Sequence, residues 1–456
     1  MIRGRRGSAG ITIALLLAAA VIAGCSRGKG SRPNVIVIVM DTQRADRLGF
    51  YGAPRPTPFL DTIAKESIVY ERAYSPSSWT VPAIASLFMA QYPSAHRVAV
   101  VMAVLPPGVV TLAEQLQAAG YRTGGFSANL EIAEQAGFDQ GFEKFSTVLR
   151  KPKGDAATVN DAAFQWLDDI GDPKAPVFLY MQYMEPHAPF RAHPGITSDD
   201  PPELPGESAD WKLAERVNSG AFRLATGQPL PDDWKMTPLE LARLKALYDG
   251  EVVYLDGQIA ALLVNLDKRG LLDDSIIVVT ADHGEHLGEH GMFSHGNTLY
   301  EEVIRVPLLV RLPDRKGRRV SEPVTIAGLA PAILGELGLP IPDDFVVPPL
   351  KLDGTPGPGY ALAEVLKVTP TYLRYHRRAL VGQTGKLLVE EDGNQVFIDL
   401  ATDPGEDHPM KDAPFAAELR KAMAEMAPTH EVVEPSPGGP VDDTTRERLR
   451  ALGYAD

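Results

Sequence analysis

Three stretches of this 456-residue chain place an acid or an imidazole directly after a run of apolar residues. Ser275-Ile276-Ile277-Val278-Val279 leads into Thr280-Ala281-Asp282-His283-Gly284-Glu285. Asn34-Val35-Ile36-Val37-Ile38-Val39-Met40 leads into Asp41-Thr42-Gln43-Arg44-Ala45-Asp46. Val177-Phe178-Leu179-Tyr180-Met181-Gln182-Tyr183-Met184 leads into Glu185-Pro186-His187. Carboxylate oxygens beside an imidazole form a ligand set for a divalent cation.

Each apolar run predicts a strand buried on both faces. Groups just past such strands gather at the carboxyl edge of a parallel sheet, where open α/β folds bind ligands. The three strand ends are therefore expected to share one site. From Leu239 onward, Leu241, Leu244, Leu247, Tyr248, Val252, Leu255, Ile259, Leu262, Leu263 and Leu266 keep helical spacing, which predicts a long amphipathic helix closed by Arg269-Gly270. In the C-terminal part, Arg378-Ala379-Leu380-Val381, Lys386-Leu387-Leu388-Val389 and Gln395-Val396-Phe397-Ile398 are separated by turn residues and predict a small antiparallel sheet. His283, His286 and His290 fall at helical intervals, but Gly284, Gly288 and Gly291 interrupt them, so a loop with only His283 facing a metal is expected.

The residues also carry a resemblance. Arg32-Pro33-Asn34 through Asp41, then Arg44-Ala45-Asp46-Arg47-Leu48-Gly49-Phe50-Tyr51-Gly52, resembles the opening of the sulfatase family in the alkaline phosphatase superfamily. Asp282-His283-Gly284-Glu285, with Leu299-Tyr300-Glu301-Glu302 and Arg305-Val306-Pro307-Leu308, resembles that family's second metal segment. Asp399-Leu400 with Asp403-Pro404-Gly405-Glu406 resembles its C-terminal signature. The resemblance implies an α/β, alkaline-phosphatase-like sandwich: a large mostly parallel sheet flanked by helices, plus a smaller C-terminal antiparallel sheet with a helix. It implies a catalytic domain over 33–340, with 191–238 as a cap or, equally, a peripheral loop insert. A C-terminal subdomain over 341–430 and a Pro-rich linker with a terminal helix over 431–456 would follow.

The family's nucleophile is a Cys or Ser, matured to formylglycine, in a Cys-x-Pro-Ser-Arg motif. The matching segment here is Thr80-Val81-Pro82-Ala83-Ile84, followed by Tyr92-Pro93, so the resemblance sets Thr80 at the nucleophile position. Thr cannot be matured as Cys can, Ile84 stands where the motif has Arg, and Thr42 stands where the family has a second Asp. What remains resembles the metal site of superfamily members with a Thr nucleophile, namely nucleotide pyrophosphatase/phosphodiesterases and phosphoglycerol transferases. One divalent ion (Mn, Zn, Mg or Ca) would be held by Asp41, Thr80, Asp282 and His283. Pro82 early in a helix suggests that Thr80 lies at a helix N-terminus, where an anionic substrate is favoured. His187 and His295 are the candidates for proton transfer or anion contact, and Arg44 and Asn129 for substrate binding.

Arg3, Arg5 and Arg6 precede an apolar segment from Ile11 to Ile22, too short for a comfortable membrane span. Ile22-Ala23-Gly24-Cys25 resembles the bacterial lipobox, so 1–24 is expected to be a lipoprotein signal peptide, Cys25 the lipidated residue and 25–32 a tether. The expected place is extracytoplasmic, on a bacterial membrane, periplasmic or cell-surface, with Ser26 compatible with an outer membrane. Cys25 is the only cysteine, and the net charge of -14 argues against a nucleic-acid partner. The expected function is a sulfatase-family, metal-dependent ester hydrolase that cleaves or transfers a phosphate ester of a glycan, lipid or small molecule through Thr80. Two alternatives stay open: a sulfuric ester hydrolase without formylglycine, and a degenerate surface-binding lipoprotein.

Overall fold

A computed structural model of the protein describes residues 32–426, apart from 100–101, 150–153, 172–173, 200, 202–203, 205–209, 211, 214–215, 218–233, 356 and 369–372. The expected signal peptide, Cys25 and the 431–456 tail therefore lie outside the described residues, as does much of the 191–238 insert. Eight strands form the main sheet: β1 (Asn34–Met40), β2 (Ile68–Tyr70), β3 (Arg122–Ser127), β4 (Lys144–Thr147), β5 (Val177–Tyr183), β6 (Ser275–Ala281), β7 (Leu308–Arg311) and β8 (Arg318–Val320). Their order is β8-β2-β7-β6-β1-β5-β3-β4. The central strand β1 pairs in parallel with β5 and β6, and the ladder continues in parallel to β3 and β4. Only β7 runs antiparallel, against both β6 and β2.

The apolar runs follow from two cores. Val35, Val37 and Val39 face one, with Val81, Ile84 and Phe88 of helix α1 (Thr80–Met89). Ile36, Ile38 and Met40 face the other, with helices α2 (Ala156–Ile170) and α3 (Pro238–Lys268). A strand with both faces covered excludes charged side chains until it leaves the sheet. That is why the acids appear only at the strand ends.

Helix α3 is the long amphipathic helix of the sequence pattern. A capping box, in which Thr237 and Glu240 satisfy each other's backbone N–H groups, starts it. The C-terminal sheet has four strands, β9 (Ala361–Val368), β10 (Leu373–Val381), β11 (Lys386–Val389) and β12 (Gln395–Ile398), all antiparallel. Helix α5 (Ala416–Met426) packs on it through Leu419 and Met423, in the same core as α1. The short helix α4 (Glu301–Ile304) lies between β6 and β7 in the chain.

Candidate metal centre and nucleophile

Asp41 follows β1 directly, and Asp282 and His283 follow β6, its parallel neighbour. Adjacent parallel strands ending in register bring them together. Their ligand atoms lie within 4.8 Å of one another, and all three side chains are fully buried. His283 Nε2 lies 3.5 Å from Asp282 Oδ2 and 4.0 Å from Asp41 Oδ1. Thr80 Oγ1 lies 3.0 Å from the same His283 nitrogen. The helix is capped by Trp79, whose side chain makes no cap bond, so Thr80 is the first helical residue and its hydroxyl turns to the imidazole. The expected four-residue set is one cluster.

Each acid is held by one oxygen and leaves the other bare. Asp282 Oδ1 accepts the backbone N–H groups of Thr42 (3.1 Å) and His283 (2.8 Å), while Oδ2 has no hydrogen-bond donor. Asp41 Oδ2 accepts from Asn129 Nδ2 at 2.6 Å, while Oδ1 has no donor. Thr42 is bent to φ 58, unusual for a β-branched residue. Its N–H on Asp282 and its carbonyl on the Tyr248 hydroxyl (2.7 Å) hold it there. His283 Nδ1 lies 2.9 Å from the Gly284 carbonyl, which can only accept, so Nδ1 carries the hydrogen and Nε2 presents its lone pair to the cluster.

Burial, reinforced by Asp282, pushes the Asp41 carboxyl well above the usual carboxylate range. Two buried acids with bare oxygens beside a lone-pair nitrogen and a hydroxyl fit a divalent cation: three hard oxygen donors and one imidazole. Asp41, Asp282, His283 and Thr80 are the residues that would hold it.

The second group of expected residues forms a histidine layer over this cluster. The His295 ring centroid lies 4.4 Å from that of His283 and 5.1 Å from that of His187. His187 Nδ1 is bonded to the Ala188 carbonyl. His295 Nδ1 lies 3.1 Å from Glu285 Oε1. Burial, reinforced by the neighbouring His283, holds the His295 imidazole well below its ordinary pKa. Glu285, itself buried, is pushed up to about 8.

Arg44 and Asn129 part company. Asn129 sits on Asp41, inside the site. The Arg44 guanidinium instead faces Asp46 (2.8 Å), Glu289 (3.1 Å) and the Glu285 carbonyl (3.1 Å), bracing the two metal-bearing loops against each other. Glu185 turns to the start of α2, where Oε1 accepts from the Ala156 N–H at 3.3 Å. His286 bonds Thr298 (2.8 Å) and His290 stacks on Tyr300, so neither joins the cluster.

Two buried acids escaped the sequence reading. Glu285 stood in the quoted motif but carried no signal that its side chain turns inward. Glu131 accepts from Trp79 Nε1 (3.4 Å) and the Met102 N–H (3.1 Å), and burial pushes it up to about 7. Its two-residue spacing from Asn129, whose Oδ1 accepts from the Glu131 N–H at 2.8 Å, was the one available hint.

A mostly parallel sheet with a carboxylate–imidazole–hydroxyl cluster at its carboxyl edge is the architecture expected of an ester hydrolase of the alkaline phosphatase superfamily. The sulfatase family model matches residues 33–339, and the chain belongs to that metal-dependent family of ester hydrolases. It is 27% identical to an ulvan-active sulfatase of Formosa agariphila over 433 residues, covering 87% of this chain and 82% of that one. A structure solved in complex with D-glucosamine-2-N,6-O-disulfate superposes with a TM-score of 0.70 at 21% identity, covering 93% of this chain and 99% of that one. The phosphonate monoester hydrolase of Agrobacterium radiobacter superposes at 0.68 and 20% identity, covering 87% and 95%. At those identities the two structures speak for the fold.

Proposed function

We propose that the protein cleaves or transfers a phosphate ester, with Thr80 as the nucleophile. The observation that carries this reading is the Thr80 hydroxyl, 3.0 Å from the lone-pair nitrogen of His283 and at the first position of a ten-residue helix. A divalent ion on Asp41, Asp282, His283 and the hydroxyl would supply positive charge beside that oxygen, lower its pKa and favour an anionic ester. In the first step the hydroxyl gives its proton to solvent and its oxygen bonds to phosphorus. The ester P–O bond breaks, and the leaving oxygen takes a proton from the His187–His295 layer. In the second step water, or an acceptor alcohol, attacks phosphorus and yields its proton to the same layer, the bond from phosphorus to Thr80 Oγ1 breaks, and that oxygen takes a proton from solvent to restore the hydroxyl. The free amides at the start of α1 favour the substrate's negative charge.

The substrate class follows from the same parts: an anionic ester on a glycan, lipid or small molecule. The relatives named above are a sulfatase and a phosphonate monoester hydrolase, so both sulfate and phosphoryl esters are on trial. A sulfated threonine would be slow to hydrolyse, which favours phosphorus. The reading extends to place: a lipid anchor at Cys25 would set this domain outside the cytoplasm, on a membrane, with 33–340 as the catalytic domain and 341–430 as its C-terminal subdomain.

The test is turnover of aryl phosphodiester, phosphomonoester and sulfate substrates by Mn- or Zn-loaded protein, beside Thr80→Ala. Phosphoester turnover that vanishes in the variant supports the reading. Robust metal-dependent sulfate turnover would replace it, and bound metal with no ester turnover would favour a binding protein.

A further inference from the structure

The loop that carries His283 is locked by its backbone. The Gly284 N–H bonds to the Val303 carbonyl (2.9 Å) and the Glu285 N–H to the Glu302 carbonyl (3.0 Å), tying the loop to α4. A Cβ at Gly284 would lie 2.0 Å from the Glu302 carbonyl oxygen, so only glycine allows this approach. The Glu285 side chain is thereby fixed pointing inward, 2% exposed. Its Oε1 meets His295 Nδ1 at 3.1 Å, and its Oε2 is buried without a hydrogen-bond donor.

A buried carboxyl with one oxygen unpartnered costs stability. Other buried acids in this chain have a structural return: Glu185 Oε1 takes the Ala156 N–H at the start of α2, and Glu131 holds Trp79 and the Met102 N–H. The Glu285 side chain has one hydrogen-bond partner among the described residues, the imidazole of His295. A bond at Nδ1 fixes the ring's orientation about its own axis and sets Nε2 on the opposite edge, away from Glu285.

We propose that Glu285 is a positioning residue for the ester chemistry: its carboxyl holds His295 by Nδ1 so that Nε2 faces the reacting ester. The inference rests on the role given to His295 in the proposed function. Without this contact the ring, attached through two rotatable bonds, is free to turn its donor edge away from the ester. Removing a carboxyl behind a metal-ligating imidazole costs roughly 10–100-fold in activity or affinity, and a loss of that order is expected here.

A double-mutant cycle tests this on the metal-loaded full chain, with kcat and KM measured separately on an aryl ester that the wild type turns over. Glu285→Ala should lower kcat about 10–100-fold, with little change in KM. His295→Ala should lower it further, and the double variant should match His295→Ala within about threefold, because Glu285 then has no ring to hold. The cycle is repeated with the isosteric Glu285→Gln, so the outcome does not hang on an emptied buried space. Multiplying losses in both cycles would show that Glu285 acts on the fold rather than through His295, and would overturn the inference. A His295→Ala variant with wild-type kcat would instead remove His295 from the proposed chemistry, a failure distinct from the first.

Discussion

Two regions of this molecule bury a pair of carboxyl groups side by side, and they treat them in opposite ways. Beneath the C-terminal sheet, the Lys386 ammonium, fully buried, lies 2.9 Å from Glu406 and 3.3 Å from Glu301, and the Tyr74 hydroxyl donates to Glu301 at 3.1 Å. At the carboxyl edge of the main sheet, Asp41 and Asp282 are fully buried, with no Lys or Arg ion-paired to either among the described residues. Burying charge is costly unless it is compensated. The first pair shares one buried ammonium of the chain and ties α4 to the C-terminal sheet. The second pair is left for something the chain does not encode, and a divalent ion followed by an anionic ester answers that need.

The sharpest break in the comparison comes from Thr80→Ala. The contrast predicts loss of turnover by roughly 10⁴-fold or more, with the melting temperature of the metal-free protein little changed, since the hydroxyl serves the site and not the fold. Steady-state rates on an aryl phosphodiester check it, and turnover within tenfold of wild type would contradict it.

Lys386→Met should do the reverse. It strands Glu301 and Glu406 without a cation and should cost about 3–5 kcal/mol of stability, read by denaturant unfolding, while the folded fraction keeps its kcat. Adding Glu406→Gln should recover part of that loss.

The two pairs should also differ in their pH response once metal is stripped. Asp41 lies well above its ordinary range, and Glu131 and Glu285 are pushed up to about 7 and about 8, in each case chiefly by burial. An acid raised in the folded state contributes stability that is fully present below its unfolded pKa, near 4, and is lost as pH rises through the folded value. Metal-stripped protein should therefore melt several degrees lower at pH 8.5 than at pH 5. Saturating divalent metal should flatten that slope, because the ion favours the ionised acids at the main-sheet edge. Glu406, pushed up to about 7 by burial, keeps its share of the slope with or without metal.

The smallest effect is expected at Arg44. Its guanidinium is spent on Asp46, Glu289 and the Glu285 carbonyl, so Arg44→Gln should lower the melting temperature while leaving KM within about threefold. A large rise in KM would return Arg44 to the substrate side, where the sequence pattern had set it.

What the sequence made legible follows from periodicity. The buried strands announced themselves as unbroken apolar runs, and the first polar residue after each marked the sheet edge. The α3 helix was readable through ten apolar positions at helical spacing. Strand β9 was not: Ala361-Leu362-Ala363-Glu364-Val365 mixes helix formers with one buried acid, and only pairing with β10 makes it extended. Likewise β10 begins at Leu373, well before the apolar segment that signalled it. At the site, ligands on adjacent strand ends were legible because register brings them together. Glu285 and Glu131 were not, because the inward turn of a loop side chain depends on backbone contacts from elsewhere, here the carbonyl of Glu302 and the segment around Met102. The bracing contacts of Arg44 were hidden for the same reason: its partners Glu285 and Glu289 are more than two hundred residues away in the chain.

The central claim is that the uncompensated acids await a divalent ion. Calorimetric titration of metal-stripped protein with Mn²⁺ and Zn²⁺, beside Asp41→Asn and Asp282→Asn, tests it most directly. The account expects one equivalent bound per chain by the wild type, and binding weakened at least about 100-fold or lost in both variants. Binding that survives in both variants unchanged, or a wild type that binds neither ion, would contradict it.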